Sequence, residues 1–213
     1  TMIEFLPKFI PGVAATLQLA FLSILLGTII GLLIAFLRLT NKKIFVMTSN
    51  FYITIIRGTP LLLQLYFIFF GLPNLGIRID RFPSAVLGLA LHNGAYISEI
   101  FRGAIQSIDY GQGEAARSIG MTKWQAMRRV ILPQAFKRSI PSLGNQFIIA
   151  VKDSSLASVI TITETMLLAR QFASATYNVF PIYTLAGAYY LVITMVMSKL
   201  LLRIESRLKV NER

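Results

Sequence analysis

Apolar runs of roughly 20 residues or more recur along this chain, the length a helix needs to cross the hydrocarbon core of a bilayer. Inside lipid the backbone must satisfy its own hydrogen bonds, so runs of this length have to be helical. Only 14% of the residues are charged, against roughly 25% in soluble domains. The runs predict an all-α, polytopic membrane protein.

Five spans are expected, at about residues 13–37, 44–70, 84–108, 139–162 and 182–202, in a single transmembrane domain covering 1–213. Pro7 and Pro11 discourage a helix in the short lead, although Pro11 suits the first turn of span one. Pro60 marks a kink in span two. Residues 71–83 read as a loop punctuated by Gly and Pro, and a polar connection is expected from span four to about Pro181. No basic flank or cleavage site precedes the first run, so it is expected to remain as a span.

Charge sets the orientation. With the N-terminus outside, the inner pieces hold fourteen Lys and Arg residues, Lys209 and Arg213 among them. The outer pieces hold four: Lys8, Arg78, Arg81 and Arg170. Positive residues favour the cytoplasmic side, so the N-terminus is expected outside and the C-terminus in the cytoplasm. A net charge of +12 suits a nucleic-acid partner as well, but its clustering around the spans argues for topology, in membrane lipid, and for no nucleic acid.

Missing chemistry narrows the function. There is no cysteine, which excludes disulfides and thiolate metal sites, and the single histidine, His92, makes a His-rich metal site implausible. No Gly-x-x-x-x-Gly-Lys-Ser/Thr phosphate cradle occurs, so the chain cannot hydrolyse ATP by that route, and no His-Glu-x-x-His occurs either. No catalytic residue, metal or cofactor of its own is expected, and the chain does not read as an enzyme.

The one long polar segment lies between spans three and four, at about 109–138. Glu114–Ile119 reads as a short helix stopped at Gly120, where a left-handed C-cap has no steric cost. Thr122 can cap a second helix while Gln125 reaches back to it, and Pro133 is expected to end that helix. Ala115 and Ala116 are small enough to let a partner surface approach closely, and Glu114 can accept a charge-assisted hydrogen bond. On these grounds alone, an amphipathic element lying on lipid phosphates through Arg128, Arg129 and Lys137 is an equal reading.

The spacing of Glu114-Ala115-Ala116, Gly120, Val130, Leu132 and Pro133 resembles the EAA loop of the membrane subunits of bacterial ABC importers, with Val130 in place of an isoleucine. Arg57-Gly58-Thr59-Pro60-Leu61, the segment from Ala95 to Gly103, and Lys152-Asp153-Ser154-Ser155-Leu156 resemble the polar amino-acid permeases of the histidine, arginine and glutamine type. The resemblance implies a type I importer permease of the bacterial cytoplasmic membrane. It implies a cytoplasmic ABC ATPase dimer that binds ATP and Mg and docks at the coupling loop, a second permease chain, identical or similar, and an extracytoplasmic solute-binding protein. The implied substrate is a polar amino acid, with basic ones or glutamine favoured. A self-powered, proton-coupled secondary transporter is the alternative; it leaves the Glu114 loop unexplained and lacks an inverted repeat.

Ionisable residues inside spans are Arg57, Glu99, Arg102, Lys152, Asp153 and, near an outer end, Glu164. A charge at mid-membrane costs roughly 2.5–3.5 kcal/mol on insertion scales, so each should face a bundle interior or a wet cavity. Glu99 and Arg102 can neutralise each other three residues apart, a structural pairing. Asn93 and Gly94 either break span three beside a cavity or, through Gly94 and Ala95, let helices pack closely. His92 is read as a packing residue. The candidate solute-pathway residues are Arg57, Asn93, Tyr96, Gln146, Asp153 and Glu164, the last two at helical spacing on one face.

Overall fold

The computed structural model describes residues 2–40 and 42–208, and among them every regular element is helical. Lys209 and Arg213, counted on the inner side above, lie outside these residues. The first helix, α1, runs unbroken over Met2–Leu39. Pro7 and Pro11 do not delay it, because tertiary packing holds the lead helical. Phe9 is fully buried, with its ring 5.3 Å from Phe172 and 5.7 Å from Tyr189, and the Tyr189 hydroxyl donates to the Leu6 carbonyl at 2.7 Å.

The chain breaks at Thr59–Pro60 where a kink was expected. Helix α2 (Lys43–Gly58) and the helical segment from Leu61 to Leu75 are bent by 107° to each other. The freed carbonyls find a donor in Gln64, whose Nε2 donates to Ile56 O at 2.7 Å and Thr59 O at 3.1 Å. Helix α3 (Leu61–Tyr66) passes into a π-turn at Phe67–Gly71 and a 3-10 turn at Leu72–Leu75.

Helix α4 (Arg81–Gln106) is continuous through Asn93 and Gly94, so the glycine serves close packing and no break occurs there. It runs parallel to α1: Leu19 meets the cluster around Ala85 and Leu89, and Ala35 meets Ile97 and Phe101. The two backbones are nearly in contact. A Cβ on Gly31 would stand 2.7 Å from the Ile97 side chain and 3.0 Å from the Gly94 carbonyl. Small residues at such crossings replace the hydrophobic drive that lipid cannot supply.

After α4 come α5 (Tyr110–Ser118) and α6 (Lys123–Ala126). Pro133 does not end the second of these. A π-turn at Met127–Ile131 leads into α7 (Leu132–Asp153), with Pro133 in its first turn. Pro73 likewise stands two residues past a π-turn. The widened ladder of a π-turn accommodates the missing proline donor without stopping the rod. Helix α7 tightens into a 3-10 segment at Ser154–Ile160, and Thr161 then adopts a left-handed φ of 64°.

The polar connection expected up to Pro181 contains α8 (Thr165–Thr176), which is followed by α9 (Val179–Leu208). Ala169 and Ala173 of α8 pack with Phe9 of α1 and Leu185 of α9. Helices α1 and α9 are each long and apolar enough to cross a membrane, and each of two bent pairs reaches that length and hydropathy together. Phe21, Leu25, Ile29 and Leu33 form an exposed apolar stripe along α1, as a lipid-facing surface requires. Helix α4 is more polar, and its half-exposed polar and charged side chains from His92 onward gather on one face.

Candidate functional site

That face is the central feature. His92, Tyr96, Glu99, Arg102 and Gln106 recur at helical spacing, so they share one side of α4. The other side, with Leu89, Asn93, Ile97 and Phe101, is buried against α1 and α7. Helices α2 and α3 add Arg57 and Gln64 to the polar side. His92 Nδ1 lies 3.2 Å from Gln64 Oε1, and its ring is 5.0 Å from that of Tyr96. The Arg57 guanidinium sits over Tyr96 at 5.2 Å and 3.8 Å from Glu99 Oε2.

Glu99 collects more than Arg102. Arg102 donates from Nε at 3.1 and 3.0 Å and from NH2 at 2.7 Å, and Arg38, from the end of α1, donates to Oε1. Three guanidiniums thus surround one carboxylate. Side-chain exposures from 20% for Glu99 to 44% for Arg57 keep the cluster open on one side. Two surplus positive charges on a face of this kind are disfavoured against lipid, so it calls for water, an anion or another protein surface.

The sequence candidates divide accordingly. Arg57 and Tyr96 lie on the polar side. Asn93 and Gln146 do not: both are buried, and Gln146 Nε2 donates to Asn93 Oδ1 at 2.9 Å while Asn93 Nδ2 donates to Leu89 O at 2.8 Å. They tie α7 to α4. Asp153 is half-buried at the end of α7, and among the described residues no hydrogen bond or ion pair holds its carboxylate.

Glu164 is fully buried as the N-cap of α8, accepting from Met166 N at 2.8 Å, Leu167 N at 2.7 Å and Tyr190 Oη at 2.8 Å. A continuous helical spacing does not relate it to Asp153, because the 3-10 segment and Thr161 intervene. Sequence reading missed Arg38, Gln64 and His92 as members of the polar side. The signal available was the polar recurrence at 92, 96, 99 and 106 within span three.

The 109–138 loop is built by local rules. Asp109 caps α5 by accepting from Gly111 N at 2.7 Å. Helix α5 ends in a Schellman arrangement: Met121 N donates to Ala116 O at 3.2 Å, Gly120 N donates to Arg117 O at 3.0 Å, and Gly120 has φ 88°. Thr122 and Gln125 form the capping box, at 3.2 and 2.9 Å. Glu114 and Ala115 face outward with Pro133; Leu132 is half-buried and Ala116 buried, so close approach of a partner falls to Ala115 alone.

A groove of about 1010 Å³ opens between Tyr110, Glu114, Arg117, Lys123 and Met127. Beside it Trp124 and Ile119 are exposed, at 62% and 76%, an apolar surface that the described residues leave uncovered. The loop is fastened to the bundle. Ala104, Ile108 and Ala135 make one apolar cluster, and Arg138 donates to the Ser107 carbonyl. A displacement of the loop therefore reaches α4 and α7 directly.

Residues 27–210 match the family described as "binding-protein-dependent transport system inner membrane component". The arginine transport system permease protein of Bacillus subtilis is 37% identical, over 97% of this chain and 95% of its own. The glutamine transport system permease protein of Escherichia coli is 39% identical, over 96% and 94%. A crystal structure of an amino acid ABC transporter with histidines superposes with a TM-score of 0.93 at 44% identity, covering 97% of this chain and 96% of that one. The chain belongs to the family of inner-membrane components of binding-protein-dependent transport systems.

Proposed function

We propose that this chain is the permease subunit of an ATP-driven importer of polar amino acids, arginine and its basic relatives or glutamine. It works as a dimer with an identical or similar chain, receiving solute from an extracytoplasmic binding protein. The N-terminus lies outside and the C-terminus in the cytoplasm, which puts the 109–138 loop on the ATPase side. Glu114, Ala115, Gly120 and Pro133, with the exposed Trp124 and Ile119, dock the ATPase, and Ala116 and Leu132 hold the loop to its own bundle.

The observation that carries this reading is the half-open polar side of α4, in a bundle whose outer faces are apolar. Such a face is compatible with a bilayer only where it lines a wet path or meets a second chain. A single bundle of this size does not enclose a path, and two copies facing each other do. The polar side, with Arg57 and Tyr96, then forms the wall, and Asp153, whose carboxylate has no hydrogen bond or ion pair among the described residues, is available to a cationic solute group.

The test is uptake of labelled arginine and glutamine into proteoliposomes carrying the permease, its ATPase and the binding protein. Uptake is expected only with ATP and all components present. Uptake by the permease alone, driven by a pH gradient, would establish the secondary-transporter alternative instead.

A further inference from the structure

We infer that Arg57 is the group of the pathway that takes the α-carboxylate of the transported amino acid. This rests on the importer reading above and adds which part of the solute is recognised.

The Glu99 carboxylate is shared unevenly among its three guanidiniums. Both oxygens of Glu99 are already engaged, by Arg38 and by three contacts from Arg102 between 2.7 and 3.1 Å. Arg102 is further engaged by Gln106 Oε1 at 2.6 Å. Arg57 is left over. It approaches Glu99 no closer than 3.8 Å, donates no hydrogen bond among the described residues, and is 44% exposed. A guanidinium carries five N–H donors in a fixed plane, and here all of them are available.

The guanidinium also has an aromatic neighbour. Tyr96 lies beneath the Arg57 guanidinium at 5.2 Å, and Tyr96 is itself packed on His92. A guanidinium over an aromatic ring leaves its N–H edges for a second planar group, and a carboxylate matches such an edge with two parallel hydrogen bonds. Arginine and glutamine differ in side-chain charge and share the α-carboxylate. A site for that group explains how one wall serves solutes of either kind, and why it carries surplus positive charge although basic solutes cross it.

Competition binding on the permease–ATPase complex in nanodiscs tests the assignment, without nucleotide. Labelled arginine and glutamine are displaced by the unlabelled amino acid or by its α-carboxamide, in which a neutral amide replaces the carboxylate. In the wild type the acid should displace label at concentrations at least about tenfold lower than the amide. Arg57→Gln should abolish that preference. Arg57→Lys should retain part of it, since an ammonium keeps the charge and loses the paired donors.

Equal displacement by acid and amide in the wild type overturns the assignment, as does an undiminished preference in Arg57→Gln. So does an absence of displaceable binding in a complex that transports. Should Arg57→Gln fail to assemble, the wild-type comparison and Arg57→Lys decide alone, and a full preference in Arg57→Lys counts against a paired-donor site. Failure of the importer reading shows separately, as no ATP-driven uptake of either amino acid by the wild type.

Discussion

Gln146 of α7 donates its side-chain amide to Asn93 of α4 at 2.9 Å, and both side chains are closed off from solvent. The pair is a tie between helices and lies on the side of α4 opposite the polar wall. Gln146→Leu should leave Asn93 Oδ1 without its donor and cost about 1–3 kcal/mol of stability. The double change Asn93→Leu with Gln146→Leu should recover part of that loss, because no polar atom is then stranded. Denaturation of the wild type, the single variants Gln146→Leu and Asn93→Leu, and the double variant in mixed micelles measures the coupling. The relative uptake of arginine and glutamine by the surviving variants should stay as in the wild type; a changed ratio would return the pair to the pathway.

Glu164 belongs to the same kind of structure. Its carboxylate caps α8 and accepts from Tyr190, joining α8 to α9. Loss of such a cap costs about 1 kcal/mol. Glu164→Gln and Tyr190→Phe should therefore lower the thermal unfolding temperature and reduce arginine and glutamine uptake to the same degree. A selective loss of arginine uptake, with stability intact, is the result that restores a substrate role for this carboxylate.

Gly120 has a φ of 88° and open space where a Cβ would stand, so any cost of substitution there is backbone strain and not collision. A left-handed residue with a Cβ costs roughly 1–2 kcal/mol. Gly120→Leu should splay α5 from α6, weaken ATPase docking and lower transport per ATP hydrolysed. Gly120→Asn should be milder, since asparagine tolerates this region. The readout is the ratio of uptake to hydrolysis in proteoliposomes, and an unchanged ratio for the leucine variant would refute the turn's role in coupling.

Gly31 tests the crossing of α1 and α4. A Cβ there meets Ile97 at 2.7 Å and the Gly94 carbonyl at 3.0 Å, and backbone cannot yield as a side-chain tip can. Gly31→Leu should force the helices apart, destabilising the bundle by about 1–3 kcal/mol or preventing its assembly. Gly187 of α9 has nothing within 4 Å of its Cβ position, so Gly187→Ala is the matched control and should behave as wild type. Comparable losses for both would show that the crossing is not the limiting contact.

The orientation is open to a direct check. A reporter inserted after Lys123 should be cytoplasmic, and one within residues 71–83 should be external. Reversed locations would put the Glu114 loop out of reach of any ATPase.

The amino-acid sequence by itself determines what depends on neighbours along the chain. Runs of apolar residues specify membrane-crossing helices because lipid leaves the backbone no other partner. Gly120, and the pair Thr122 and Gln125, specify the two turns of the loop, since a left-handed C-cap and a capping box are closed within a few residues. Local reading fails where a distant contact intervenes. Pro7 and Pro11 sit inside a helix because Phe172 and Tyr189 close over Phe9, and α8 forms within the expected polar connection because its alanines have α1 and α9 to pack against.

Only the tertiary structure decides which polar residues form a wall and which form a core. Asn93 and Tyr96 lie three residues apart and are both polar, and nothing local states which way α4 is turned. The close approach of α1 at Gly27 and Gly31 turns it, placing Asn93 inside and leaving Tyr96 and Glu99 open. Arg38 reaches Glu99 across 61 residues of sequence, a pairing no helical periodicity encodes. Burial of one face against another helix is a long-range choice, and that choice separates the structural carboxylate of Glu164 from the shared one of Glu99.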